Sequence, residues 1–245
     1  MKILAIDTSN HPLSIAVVED DQLVAETTLN LTKNHSVYVM PTIERLVAAA
    51  GWQPSDLDRI VVAKGPGSYT GVRIAVTTAK TLADTLKIEL VGISSLRVIG
   101  VHVALLQPQR PTVVIFNARR QNVFAAGYVA TAAGQVRDWL PQQHMAMAQL
   151  LELIEQRQTP VSLVGELNEE FVAQIEASAS QSLVSVLPKQ YALPSAYDLA
   201  LLGRTTQPVT DLDQFVPDYL RITEAEANWQ KKHPGETKKS YVREI

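Results

Sequence analysis

The chain has no cysteine among its 245 residues. Disulfides, thiolate nucleophiles and cysteine-bound zinc are excluded together, and a reducing compartment is permitted. There is no basic excess either: 22 Lys and Arg stand against 25 Asp and Glu, a formal net charge of −3. A protein that grips a polyanion by counterion release carries a surplus of positive charge or a dense basic patch. This chain is therefore not expected to hold nucleic acid alone. No apolar run approaches the roughly 18 residues of a membrane span. The opening run from Met1 breaks at Asp7, short of a secretory core segment. A soluble, cytoplasmic chain is the expectation, without export signal or membrane contact, and 46% hydrophobic and 19% charged residues suit one large or two small domains.

Several chemistries lack their signatures. The histidines are His11, His35, His102, His144 and His233, with no His-x-x-x-His or His-Glu-x-x-His pair, so no helical metal site is read. There is no Gly-x-Ser-x-Gly nucleophile turn. The carboxylates form no legible pair of the kind glycosidases use.

What is present is a repeated order of elements. Lys2–Asp7, Leu13–Glu19 and Gln22–Leu29 read as strands, the last two joined across a polar Asp20-Asp21 hairpin. Val39, Ile43, Leu46, Val47 and Ala50 fall at helical spacing before Gly51, which predicts a helix over about 35–50. A strand at Arg59–Ala63, a helix over about 70–87, a strand at Leu90–Ile93 and a helix capped by Ser94 or Ser95 follow. Gln107-Pro108-Gln109-Arg110-Pro111 is the best linker candidate. The grammar then restarts: strands at Thr112–Phe116, Asn122–Val129 and Gln135–Trp139, a helix at Met145–Gln156, a strand at Val161–Val164 and a helix at Asn168–Ala177. A last helix fits Ser195–Gly203 behind Pro194. The expected organisation is an α/β protein of two lobes with related topology, 1–107 and 108–222. The helix from about 195 is a candidate for return to the first lobe, and 223–245 forms a polar tail with Lys231-Lys232 and Lys238-Lys239.

Three segments invite a chemical reading. Asp7-Thr8-Ser9 ends the first strand, where a carboxylate can orient a metal-bound water or simply close an Asx-turn. Gly65-Pro66-Gly67-Ser68-Tyr69-Thr70-Gly71-Val72-Arg73 joins a strand to a helix. It is neither a Walker A loop nor a Gly-x-Gly-x-x-Gly fingerprint, and reads equally as a structural turn or as amides facing an anion or a partner. Asn117-Ala118-Arg119-Arg120 places two arginines in a turn, for phosphate, a partner carboxylate or solvent. The candidate phosphate or turn residues are thus Asp7, Thr8, Ser9, Gly65, Gly67, Ser68, Thr70, Gly71, Arg73 and Arg119. His35 reads as a capping or surface residue near Asn34 and Ser36 rather than a ligand.

Taken together, Ile3-Leu4-Ala5-Ile6-Asp7-Thr8-Ser9, Asn34-His35-Ser36 with Met40-Pro41, the Gly65–Arg73 segment, Ala118-Arg119-Arg120, Pro194-Ser195-Ala196 with Leu202-Gly203, and Pro217-Asp218-Tyr219-Leu220-Arg221 resemble the TsaB (YeaZ) family, in the family's order and across nearly the whole chain. The resemblance implies the actin-like, Hsp70-like sugar-kinase (ASKHA, ribonuclease H-like) fold. It also implies a non-catalytic scaffold role in forming threonylcarbamoyladenosine in tRNA, beside a TsaD-like catalytic subunit and a TsaE-like ATPase. ATP and metal would then belong to the complex, with no cofactor in the isolated chain and tRNA reached only indirectly. TsaD carries a histidine pair on its first helix; here Val39 and Met40 stand where the second histidine would be. An older label for the group is glycoprotease, and no residue supports peptide hydrolysis.

The chain departs from the family pattern at Asn117, where an aspartate is usual, after Arg119-Arg120, which Gln121-Asn122 follows in place of Gly-Glu, and at Gly165-Glu166-Leu167, in place of Gly-Asp-Gly. These changes weaken any expectation of ATP binding. The helix from Val72 to Lys87 is apolar over much of its girth, with small Ala75, Thr77, Thr78, Ala79 and Ala83 among larger residues, so it must bury more than one face. We expect one face on the first lobe's sheet and another against a partner, a TsaD-like subunit or a second copy in a homodimer. The residues expected there are His35, Met40, Ile43, Val47, Val72, Ala75, Val76, Thr78, Ala79 and Leu82; burial within the domain is the other reading. The competing function is a nucleotide-binding small-molecule kinase or ATPase of the same fold, with Asp7 as metal-water anchor.

Overall fold

The computed structural model describes residues 1–30 and 34–220. The expected tail over 223–245, and Arg221, lie outside the described residues. Two five-stranded sheets form, each built in the same sequence of steps. In the first, β1 (Lys2–Asp7), β2 (Pro12–Glu19) and β3 (Gln22–Asn30) are followed by α1 (His35–Ala49), β4 (Arg59–Ala63), α2 (Tyr69–Leu86), β5 (Glu89–Ile93) and α3 (Ser95–Leu106). In the second, β6 (Thr112–Asn117), β7 (Asn122–Ala130) and β8 (Val136–Ala146) are followed by α4 (Met147–Arg157), β9 (Val161–Gly165), α5 (Glu169–Ala177), β10 (Val184–Val186) and α6 (Ala196–Arg204).

The strand orders are β3-β2-β1-β4-β5 and β8-β7-β6-β9-β10. In each sheet the first strand pairs antiparallel with the second and parallel with the fourth. This is the two-lobed actin-like plan that the resemblance implies. The apolar runs have a direct cause. β1, β4, β6 and β9 have neighbours on both sides and helices on both faces, so nearly every side chain is covered.

α1 and α2 bury Val39, Ile43, Leu46, Val47, Val72, Ala75, Val76 and Ala79 against Leu4, Ile6, Ile60 and Val62. α4 and α5 do the same on the second sheet through Met147, Leu150, Ile154, Phe171 and Ile175. The remaining two helices are exchanged between the lobes. α3 follows the first sheet in sequence but lays Leu96, Ile99, Val103 and Ala104 on Val114, Phe116, Ala126 and Tyr128 of the second. α6 follows the second sheet and lays Ala196, Leu199 and Ala200 on Ile3, Ala5, Ala16, Val61 and Ala63 of the first. The two exchanged helices meet, and His102 Nδ1 lies 2.9 Å from Asp198 Oδ2.

Two strands differ from the sequence reading. β8 runs on past Trp139 to Ala146, through Pro141. It is the edge strand of its sheet, where a proline and the register shifts beside Gly127 are tolerated because one side of the ladder is open. β10, also an edge strand, is only three residues long and carries no readable pattern. Among the described residues no helix is long and apolar enough to cross a membrane.

Candidate functional site

The Asp7-Thr8-Ser9 turn and the glycine segment, 56 or more positions apart in sequence, interlock at the lobe seam. Ser68 N–H donates to Ser9 O at 2.7 Å, and Thr8 Oγ1 donates to Gly71 O at 2.7 Å. The backbones approach so closely that a Cβ at Gly67 would lie 2.1 Å from Ser9 O, and one at Gly71 2.1 Å from Thr8 O. Only glycine permits that contact. Ser68 then caps α2, its hydroxyl accepting from Gly71 N at 3.4 Å. The last residues of the described chain close the other side. Asp218 N–H donates to Lys64 O at 2.8 Å, and Tyr219 stacks on Tyr69 with ring centroids 4.7 Å apart.

Asp7 is 1% exposed. Its Oδ1 accepts from Ser9 N at 2.8 Å, an Asx-turn, while Oδ2 has no hydrogen-bond partner among the described residues. Burial pushes its carboxyl above the ordinary carboxylate range, with the Ser9 contacts and the charge of His35 pulling the other way. The amide that would meet an anion at this turn is therefore engaged by the chain's own side chain. Among the described residues no cluster of three or more His, Asp or Glu is placed to hold a metal ion.

The second lobe presents the equivalent turn. Arg119 N–H donates to Asn117 Oδ1 at 2.8 Å, and Arg119, Arg120 and Gln121 follow one another at φ 65°, 51° and 59°. Glu166 at the end of β9 reaches across: its Oε2 accepts from Asn117 N at 2.9 Å. With the Asn10 carboxamide oriented to satisfy both ends, its nitrogen donates to Glu166 Oε1 at 3.1 Å and Ser9 O at 3.3 Å. Asn10 O in turn accepts from His35 Nε2 at 3.0 Å. Both turns thus have amides occupied internally, and one carboxylate joins the lobes.

The structure brings Asp7, Thr8, Ser9, Gly65, Gly67, Ser68 and Gly71 into one seam. It does not bring Arg73, Thr70 or Arg119 into it: Thr70 and Arg73 are exposed on the outer side of α2, and Arg119 is exposed on the second lobe's turn. Asn10, Glu166, Asp218 and Tyr219 belong to the seam and carried no role in the sequence reading, although Gly165-Glu166-Leu167 was already marked as a departure. Beside the seam lies a cavity of about 330 Å³ lined by Lys64, Ser94, Arg97, Tyr128, Asp138 and Gln142. The charge of Arg97 is met there by Asp138 at 2.5 Å.

The expected partner residues divide sharply. Ile43, Val47, Val72, Ala75, Val76 and Ala79 are 6% exposed or less and pack in the chain's own core, so they reach no partner. The helical pattern identified an apolar face correctly, but that face covers the chain's own sheet. His35, Thr78 and Leu82 are half-buried and Met40 is exposed. Beside Met40 in the first turns of α1 the structure adds Val37 and Tyr38, at 62% and 40% exposure, and at the start of α2 Tyr69, at 50%. A surface of large apolar side chains therefore exists on these helices, centred on their N-terminal ends.

Comparison with known proteins agrees with this architecture. The family described as "TsaD: tRNA N6-adenosine threonylcarbamoyltransferase" matches residues 22–229. The tRNA threonylcarbamoyladenosine biosynthesis protein TsaB of Bacillus subtilis is 39% identical over 236 residues, covering 94% of this chain and 98% of that one. The protein of the same description from Buchnera aphidicola subsp. Acyrthosiphon pisum is 24% identical over 201 residues, 80% of this chain and 86% of its own. Among solved structures, YeaZ from Pseudomonas aeruginosa superposes with a TM-score of 0.72 at 21% identity, over 89% of this chain and 100% of that one. A second Pseudomonas aeruginosa structure, described as similar to peptidase YEAZ, gives 0.76 at 22% identity, over 90% and 99%.

Proposed function

The chain belongs to the TsaB family of tRNA threonylcarbamoyladenosine biosynthesis proteins, and from that membership we propose that it serves as a non-catalytic scaffold and activator of the modifying complex. Its partners in this reading are a TsaD-like catalytic subunit, which it binds directly, and a TsaE-like ATPase, whose action it supports. In isolation the same surface joins two copies. The compartment is the cytoplasm, where tRNA is modified.

The observation that carries the reading is the internal occupation of both seam turns. Ser9 N and Arg119 N are taken by Asp7 and Asn117, and Asn117 N is taken by Glu166. Backbone amides bind phosphate when they are free to point at it. Here a nucleotide would have to displace three side chains, Asp7, Asn117 and Glu166, two of them acidic. The apolar group of Val37, Tyr38, Met40 and Tyr69 supports the scaffold role, because large exposed side chains grouped on two helices mark an interaction surface. The net charge of −3 supports indirect contact with tRNA.

Reconstitution tests the reading. Catalytic subunit, ATPase, tRNA, ATP and the threonylcarbamoyl donor are combined with and without this chain, and modified adenosine is measured. Modification that needs the chain, with no turnover by the chain alone, is the expected result. Equal modification without it overturns the proposal. ATP affinity of the isolated chain, lost in Asp7→Ala, would instead establish the kinase or ATPase reading.

A further inference from the structure

We propose that Glu166 is a latch through which the second lobe fixes the start of α1, and with it the apolar surface that α1 presents. Its meaning for association rests on the partner reading above, whereas the latch itself is a property of the isolated chain.

α1 begins without the usual supports of a helix start. Asn34 at its N-cap makes no side-chain cap bond, and the first turn holds no acidic residue to meet the helix dipole. Pro41 lies inside the helix and has no N–H to return to the Val37 carbonyl. Val37, Tyr38 and Met40, the exposed apolar residues, all lie in this weakly supported stretch. Deeper in the helix, Ile43, Leu46 and Val47 are anchored in the core. At the beginning of α1 one side chain, Val39, packs in the core, and ahead of it the helix start is held by a side-chain tie, His35 Nε2–H to the carbonyl of Asn10 at 3.0 Å.

Asn10 is itself held from the other lobe. Its carboxamide donates to Glu166 Oε1 at 3.1 Å, while Glu166 Oε2 accepts from Asn117 N at 2.9 Å. One carboxylate therefore places one oxygen on each lobe, with charge-assisted bonds to both. Asn10 is 9% exposed, so losing Glu166 leaves its carboxamide nitrogen at a closed seam with the longer 3.3 Å bond to Ser9 O in place of two. The turn carrying Asn10 then relaxes, and the tie to His35 relaxes with it. A further cross-seam tie, Gln142 Nε2 to Asp218 Oδ2 at 2.9 Å, bears on the glycine segment rather than on α1. Lobe closure and order at the start of α1 are thereby linked, and local opening there is set from the second lobe.

Hydrogen–deuterium exchange of the full-length chain tests this. The amides of residues 36–40 are followed in the wild type and in Glu166→Ala, Asn10→Ala, Glu166→Gln and His35→Ala. Glu166→Ala and Asn10→Ala are expected to raise exchange there several-fold and to leave the end of α1 near Leu46 unchanged. Asn10→Ala keeps the backbone carbonyl that His35 uses, so it cuts only the interlobe bond and carries the test if Glu166→Ala does not fold. Glu166→Gln is expected to slow exchange only part of the way back, since its carbonyl still accepts from Asn117 while its NH₂ group faces the NH₂ of Asn10, which cannot turn over without setting its oxygen against Ser9 O. A Glu166→Ala, His35→Ala double variant is expected to exchange no faster than His35→Ala alone. Wild-type exchange in both Glu166→Ala and Asn10→Ala, or log-rate effects of Glu166→Ala and His35→Ala that simply add, would overturn the latch. Affinity for the catalytic subunit is measured alongside. Faster exchange with unchanged affinity keeps the latch and removes the partner reading of this surface; unchanged exchange removes the latch whatever the affinity.

Discussion

Asp7 and Asn117 occupy the same place in the two lobes, the last residue of the strand that opens each sheet, and each closes its own turn in the same way. Asp7 Oδ1 accepts from Ser9 N and Asn117 Oδ1 from Arg119 N, both at 2.8 Å. What differs is charge and burial. Asp7 is buried with Oδ2 unpartnered among the described residues, whereas Asn117 is neutral and exposed.

The second lobe thus shows that an asparagine suffices for the turn. Asp7→Asn is predicted to keep the fold and to stabilise it at neutral pH, because the buried negative charge is removed, although the NH₂ that replaces Oδ2 still needs a partner. The sign follows from the raised carboxyl: the folded state favours the protonated acid, so this group's contribution to stability is complete below the ordinary carboxylate value and is lost as pH rises through the raised folded value. Denaturant midpoints across pH check this, the variant lacking that loss. The scaffold reading further expects Asp7→Asn to support modification in the reconstituted complex, whereas a metal-water anchor would not survive the change.

Arg59 holds the exchanged helix α6 in place. Its guanidinium donates to Gly203 O and Arg204 O at 2.8 Å each and to Thr206 O at 3.3 Å, while Nε and Nη2 grip Glu89 Oε2 at 2.8 and 2.6 Å. The planar fork serves both sets of acceptors, and the side chain is 7% exposed. Arg59→Ala takes the guanidinium away from three carbonyls at the end of α6, of which Gly203 O keeps Thr206 N–H at 3.4 Å, and is predicted to destabilise by about 1–3 kcal/mol. Arg59→Lys recovers only part, having no fork. Amide exchange in α6 should rise more than in α4, because the loss is local to the helix that the second lobe's sequence lends to the first sheet.

Much of this architecture was legible before any coordinates. Central strands covered on both faces read as continuous apolar runs, so β1, β4, β6 and β9 stood out, and α1, α2 and α3 were bounded to within about a residue. The repeated order of elements predicted the repeated topology. Return of the helix from about 195 to the first lobe was legible as a candidate, but the passage of α3 to the second sheet was not legible, because periodicity reveals that Leu96, Ile99 and Val103 share a face but not which sheet that face meets. The same limit misassigned Ala75 and Ala79 to a partner. Glu166 and Asn10 meet only through the register of two separate loops, which no local pattern encodes.

That correction decides how the association surface is probed. Arginine at Ala79, which is 0% exposed, would enter the core and unfold the chain rather than test an interface. Val37→Asp and Met40→Glu change side chains that are already in solvent, so stability should move by less than about 0.5 kcal/mol. Both are predicted to weaken binding to the catalytic subunit, and to shift any homodimer toward monomer, by about 1–2 kcal/mol each if the residues are central to the contact. Analytical ultracentrifugation with circular dichroism separates the outcomes. Wild-type association in both variants would place the interface elsewhere.

The last relationship, between His102 and Asp198, ties the exchanged helices to each other and makes that tie sensitive to pH. The Asp198 carboxylate at 2.9 Å raises the imidazole above its ordinary value of 6.5, against the opposing effect of partial burial. A histidine whose folded value is raised contributes stability that is complete below the unfolded value and disappears as pH climbs through the folded one. The window therefore opens near 6.5 and extends upward from there. Because the His102 side chain is 44% exposed, solvent screens the pair and the contribution is about 0.5–1 kcal/mol. Asp7 gives a loss of the same sign, so the comparison is best made in the Asp7→Asn background. There, His102→Gln is predicted to flatten the remaining decline in stability above that window, and Asp198→Asn to do the same by returning the imidazole toward its ordinary value. A decline that persists unchanged in both variants would show that the exchanged helices are held by their apolar faces alone.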